Sequence, residues 1–199
     1  INFDAEIQQQ RPALGIVGNI LYVGYGSMRD CSHYHGWLVG VPIDNPASVT
    51  AWASASHGGS WRGAIWATGG IASDGKNPFV TTGNTFNTGG NWMGGEAIIR
   101  LQAGSVWSGQ PTDHWAPTNW FSLDNSDTDI GGVSATVIDV PGATPSQLVL
   151  ALGKDSNAYL LNRNNLGGIA LPVTQTNVGG INRGTSAVTY RTSQGTYFA

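Results

Sequence analysis

Gly18-Asn19-Ile20-Leu21-Tyr22-Val23-Gly24-Tyr25-Gly26 and Gly75-Lys76-Asn77-Pro78-Phe79-Val80-Thr81-Thr82-Gly83 are two versions of one pattern. Both open and close on glycine, and both place an aromatic residue and then valine at the same two positions. A third version, Gln147-Leu148-Val149-Leu150-Ala151-Leu152-Gly153, keeps the apolar pair and the closing glycine, and a fourth begins at Gly195-Thr196-Tyr197-Phe198-Ala199. Short runs rich in β-branched and aromatic residues, bounded by Gly, Asn and Asp, read as strands. Gly, Pro and β-branched residues interrupt every window before a helical apolar period runs for three turns. The class is all-β.

Working outward, each copy has companions. Strands are expected before it at 13–17, 66–72, 134–140 and 186–191, and after it at 36–41, 96–101 and 157–162. Outer strands are expected at 49–53 and 170–174. Tyr22, Phe79, Val149 and Tyr197 stand 57, 70 and 48 residues apart. Four antiparallel strands per roughly 50 residues is the spacing of a β-propeller blade. The closing glycine has a mechanical reason, because strands crowding an axis need a residue without Cβ for close approach and turning. The count gives a single propeller domain over 1–199, with about three full blades and a partial fourth. A propeller usually needs four to eight blades. The chain therefore reads as the middle of a longer propeller, or as a part-ring completed by a second copy or a complementary chain.

Asp44-Asn45-Pro46-Ala47-Ser48-Val49-Thr50-Ala51-Trp52 resembles the tryptophan-bearing motif of pyrroloquinoline-quinone-like (PQQ-like) propeller repeats, with Ser48 where that motif has Gly. Weaker copies stand at 101–107 and 161–167, the latter without its Trp. Gln10–Leu14, His35-Gly36-Trp37, Ile65-Trp66, Thr82-Gly83-Asn84 and Gly153-Lys154-Asp155 are also similar to uncharacterised secreted members of that superfamily. The resemblance implies a propeller fold. For members that use the quinone, it implies the cofactor on the axis with Ca²⁺, a catalytic Asp and often a vicinal disulfide. Cys31 is the sole cysteine, which removes that disulfide, and no quinone-binding residue is matched here. No cofactor is expected, PQQ included.

Composition narrows the function. Only 11% of the 199 residues are charged, against about a quarter in an average domain, and the net charge is −3 with two lysines, Lys76 and Lys154. Nucleic acid is excluded as a partner, since phosphate neutralisation needs clustered Lys and Arg. No apolar run has the length of a membrane span. Ile1–Ala5 carries no signal-peptide pattern, yet the low-charge, Gly- and Trp-rich composition resembles extracytoplasmic proteins. An extracellular or periplasmic setting is expected.

Three groups of side chains are candidates for chemistry. His33 and His35 alternate on an extended segment, which would put both imidazoles on one face for a metal, with Cys31 beside them. The competing reading is a loop in which one His bonds backbone and the other meets solvent. Asp124, Asp127 and Asp129, followed by Gly131, offer oxygen donors that would wrap Ca²⁺; otherwise they cap the N–H groups of an Asp-rich turn. The third group is aromatic. Trp61, Trp92, Trp115 and Trp120, with Arg62 and His114, form a surface suited to stacking on sugar rings. The same indoles also suit packing between blades, above all Trp52, Trp66 and Trp107. No Gly-x-Ser-x-Gly, P-loop, HExxH or dinucleotide motif is present. Three functions are expected in this order: a non-catalytic scaffold or binding module, a carbohydrate-binding or carbohydrate-active protein, and a quinoprotein oxidoreductase.

Overall fold

A computed structural model describes residues 1–180 and 186–199. The first sheet holds β1 (Gln8–Gln10), β2 (Gly15–Val17), β3 (Ile20–Ser27), β4 (Trp37–Pro42) and β5 (Thr50–Ala53). β1 and β2 lie on the same edge of β3, β1 against Tyr25–Ser27 and β2 against Ile20–Tyr22. They are one strand interrupted at Pro12, which lacks the N–H a ladder needs. β3, β4 and β5 follow as an antiparallel meander. After β6 (Trp61–Arg62) come β7 (Ala72–Ser73), β8 (Pro78–Thr82), β9 (Thr85–Phe86), β10 (Ala97–Arg100) and β11 (His114–Ala116). The second sheet runs β7-β8-β10-β11, while β6 and β9 pair separately.

A short helix, α1 (Trp120–Asn125), and a 3₁₀ turn at Ile130–Gly132 lead into the third sheet. That sheet is formed by β12 (Thr136–Asp139), β13 (Gln147–Leu152), β14 (Asn157–Asn162) and, beyond β15 (Gly168–Ile169), β16 (Thr174–Asn177). A hairpin of β17 (Thr189–Thr192) and β18 (Gly195–Phe198) ends the described chain.

Three successive antiparallel meanders are thus present; Tyr22, Phe79 and Val149 fall on their strands β3, β8 and β13, and Tyr197 on β18 of the last hairpin. The expected outer strand at 170–174 lies elsewhere. β15 joins the second sheet instead, parallel to β11, and the Trp115 indole donates to the Ala170 carbonyl at 2.9 Å. This detour holds 166–170 against the second unit and delays the third sheet's outer strand to Thr174. Of the expected strand at 66–72, only its end pairs in a ladder. α1 was not expected either. Its six residues are too few for a helical period, and it is held by burying Trp120 and Leu123 in different cores.

The second sheet is covered on both faces, so every residue of β8 is buried. Alternation then splits its residues between two cores. Phe79, Ile98 and Trp115 pack with Val149, Ala151, Tyr159 and Leu161 of the third sheet. Val80, Ile99 and Ala116 pack with Tyr22 and Leu38 of the first. The leading segments of the units lie side by side: the Ala13 N–H donates to the Thr68 carbonyl at 3.1 Å, Ser134 Oγ to Ala67 at 3.4 Å, and Thr136 Oγ1 to Ala187 at 3.2 Å. The closing glycines serve this approach. A Cβ on Gly26 would lie 3.1 Å from the Ala64 Cβ, and one on Gly83 only 2.9 Å from the Asp129 carboxylate. Neither has a positive φ, so crowding alone, and no turn, requires them.

Candidate functional site

The residues that follow the closing glycines, Ser27, Asn84 and Lys154, all line one cleft of about 370 Å³. Three units therefore deliver equivalent positions to one place. Trp66 stands in the cleft wall between two cations, with Arg11 Cζ 5.1 Å and Lys154 Nζ 5.4 Å from its ring centroid. Lys154 Nζ pairs with the Asp129 carboxylate and donates to the Asp127 carbonyl at 3.0 Å. Asp129 also accepts from the Asn84 N–H at 3.0 Å. Across the cleft, Tyr34 Oη donates to Asp30 at 2.8 Å. Burial first, then that hydrogen bond, pushes the Tyr34 phenol up, so it stays a donor. Arg11 and Arg29, both exposed, have no ion-pair partner among the described residues.

Within electrostatic reach of Asp129 lies Glu96, fully buried at φ +50°. Its Oε2 accepts from the Ile130 N–H at 2.7 Å, while Oε1 has no partner among the described residues. Burial, followed by the charge of Asp129, holds this carboxyl well above the usual range.

The sequence-derived candidates distribute as follows. Asp124 is buried and accepts from the Thr85 N–H at 2.6 Å and its hydroxyl at 3.0 Å; burial raises its pKa. Asp129 serves Asn84 and Lys154, and Asp127 is exposed. No group of three or more His, Cys, Asp or Glu side chains forms a metal site among the described residues, so the three aspartates do not converge on Ca²⁺. Asp124 and Asp129 instead accept from backbone N–H groups 39 and 45 residues away in sequence, and Asp127 and Asp129 face Lys154, so these carboxylates tie the turn to distant segments rather than capping the turn itself. His33 and His35 part company. His33 lies against Trp61, ring centroids 4.5 Å apart and tilted by 32°, whereas His35 Nδ1 contacts the Ser54 carbonyl at 3.1 Å and burial lowers its pKa.

The aromatic set divides into three. Trp115 is fully buried and Trp120 nearly so, which removes both from any ligand platform; adjacent to β-ladder positions and a helix, they fill the cores instead. Trp61 forms a surface cluster with Arg62 and Phe86, the guanidinium 4.9 Å from its ring centroid. Trp92 stacks on His114 at 4.4 Å and 18°, and it faces a separate groove with Trp37, Trp52 and Trp107. Burial lowers the His114 pKa. Lys154 and Arg11 are not among the candidates for chemistry read from the sequence. For Lys154 the available signal was the position after a closing glycine, shared with Ser27 and Asn84; Arg11 carries no such signal.

The class defined by this architecture is an all-β protein of antiparallel meander sheets with a polar cleft at their strand ends. No family model matches the chain, and no curated protein is significantly similar to it. No helix among the described residues is long and apolar enough to cross a membrane.

Proposed function

We propose that the chain is a binding module built on part of a β-propeller of the PQQ-like repeat type, which holds a small carboxylate-bearing ligand in the polar cleft without converting it. The observation that carries this reading is the delivery of Ser27, Asn84 and Lys154 to one cleft by equivalent positions of three units. Three consecutive meanders stacked face to face, with leading segments side by side, support the propeller architecture. The exposed Leu171, Val188 and Tyr190 support further blades, from a second copy or a complementary chain, packing beyond the third sheet. Asp129 and Asp30 already accept internal hydrogen bonds, which favours binding over acid–base catalysis. Arg11 and Arg29 supply the unpaired donors suited to a carboxylate. The low-charge composition supports an extracellular or periplasmic setting.

Ligand-observed NMR with citrate and galacturonate tests the reading. Saturable binding of at least one, weakened about tenfold by the Arg11→Ala, Arg29→Ala double substitution, is expected. Failure of both probes to bind, or their chemical conversion on incubation, would overturn it. Light scattering tests the ring: a self-associated species is expected if a second copy supplies the missing blades.

A further inference from the structure

The groove between the first and second sheets, of about 440 Å³, shares no lining residue with the polar cleft. Trp52 on β5 and Trp107 form its aromatic wall, ring centroids 6.1 Å apart and tilted by 47°. Trp107 lies 5.5 Å from the His114 ring, which in turn stacks on Trp92. Trp92 is fixed by donating its indole N–H to the Gly95 carbonyl at 2.8 Å. Trp52 and Trp107 are half-buried, and their indole N–H groups donate to no protein acceptor among the described residues.

Charge decides the ligand class. No Asp, Glu, Lys or Arg side chain lines the groove, and His57 is the one titratable side chain that does. A cation would find no counter-charge among the lining side chains, and an anion none besides His57. Flat apolar faces beside unpaired N–H donors match instead a molecule with apolar C–H faces and hydroxyl acceptors. The volume falls within the usual range for small-ligand pockets, and the mutual tilt of the two indoles does not form the parallel ridges that grip an extended proline-rich segment.

We propose that this groove binds a neutral saccharide, with Trp52 and Trp107 as the platforms for its rings. The proposal is independent of the ligand assigned to the cleft.

Titrating the protein with cellohexaose, xylohexaose, laminarihexaose and chitohexaose, followed by tryptophan fluorescence and ligand-observed NMR, provides the test. At least one oligosaccharide should saturate, and Trp52→Ala and Trp107→Ala should each weaken it about tenfold or more. Because truncating a half-buried indole also loosens the fold, Ala51→Arg serves as a second variant. Ala51 is exposed on the groove, and the long side chain should block binding while leaving the thermal midpoint near that of the parent. The Arg11→Ala, Arg29→Ala variant should bind the saccharide as the parent does. The proposal falls if no oligosaccharide saturates, if Ala51→Arg binds unchanged, or if decaproline binds in the groove and the saccharides do not.

Discussion

Lys154 and Asp129 are joined twice: the Lys154 backbone N–H donates to the Asp129 carbonyl at 2.9 Å, and its ammonium pairs with the Asp129 carboxylate. The link ties the turn after β13 to the segment that enters the third unit, with the ammonium over the Trp66 ring. The two side chains are 13% and 4% exposed, so the pair is largely removed from water. Breaking such a pair leaves a charge without compensation. Lys154→Met should therefore destabilise the protein by about 3 kcal/mol in urea unfolding. Asp127→Asn, at the exposed partner of the same lysine, should cost under about 1 kcal/mol.

Glu96 sets a pH dependence of the opposite sign to an ordinary surface carboxylate. Its folded pKa lies above the ordinary value of 4.5, so in the window above 4.5 the native state holds a proton that the unfolded chain has released. Its contribution is complete below that window and is lost as pH rises through the folded value. Asp124, raised by burial, acts in the same direction. Glu96→Gln keeps the acceptor for the Ile130 N–H and has no proton to lose. Thermal midpoints measured against pH should fall less steeply above the ordinary carboxylate range in Glu96→Gln than in the parent.

His114 behaves in reverse. Burial lowers its pKa below 6.5, so the folded protein keeps a neutral imidazole against Trp92 where the unfolded chain already takes up a proton. That stability is present above 6.5 and is lost as pH falls through the folded value. Protonated imidazole quenches a stacked indole. Fluorescence of the parent minus that of Trp92→Phe should therefore drop with a midpoint below 6.5, and His114→Gln should abolish the drop.

The two cores respond separately. Phe79→Ala opens the interface with the third sheet and Ile99→Ala the interface with the first, since the two residues lie on opposite faces of the central sheet. Phe79→Ala should cost about 3–5 kcal/mol and Ile99→Ala about 2–5 kcal/mol in chemical denaturation. Exchange protection should fall first in β13 for the former and in β3 for the latter.

Gly36, immediately before β4, lies hard against the backbone of Gly63. A Cβ there would run into the Gly63 carbonyl and lie 2.9 Å from Ser54 Oγ, the hydroxyl that holds the Gly36 N–H at 3.0 Å. Gly36→Ala should lower stability by about 1–3 kcal/mol, read from the urea midpoint, because backbone on the far side leaves little room to yield.

The strands were legible wherever the local pattern and the tertiary environment agreed. β14 occupies the expected 157–162, and β3, β8, β13 and β18 carry the repeated pattern, because β-branched and aromatic runs ended by glycine specify extended chain without help from distant residues. The candidate site was less legible. Trp115, fully buried, and Trp52, half-buried and beside an open groove, are the same residue type in similarly aromatic surroundings, so nothing local distinguishes filler from platform. The Asp124–Asp129 run has the composition of an ion-binding loop, yet its acceptors are taken by Thr85, Asn84 and Lys154, up to 45 residues away in sequence.

By itself, then, the sequence determined an all-β chain, its repeat and the glycines that let strands crowd together, since these depend on backbone sterics and side-chain alternation within a few residues. Only the tertiary structure decided which face of each strand is buried, that β15 leaves its own unit for the neighbouring sheet, and that Ser27, Asn84 and Lys154 meet in one cleft. Those outcomes depend on which sheet packs against which. The free energy that selects them comes from burying surfaces far apart in the chain.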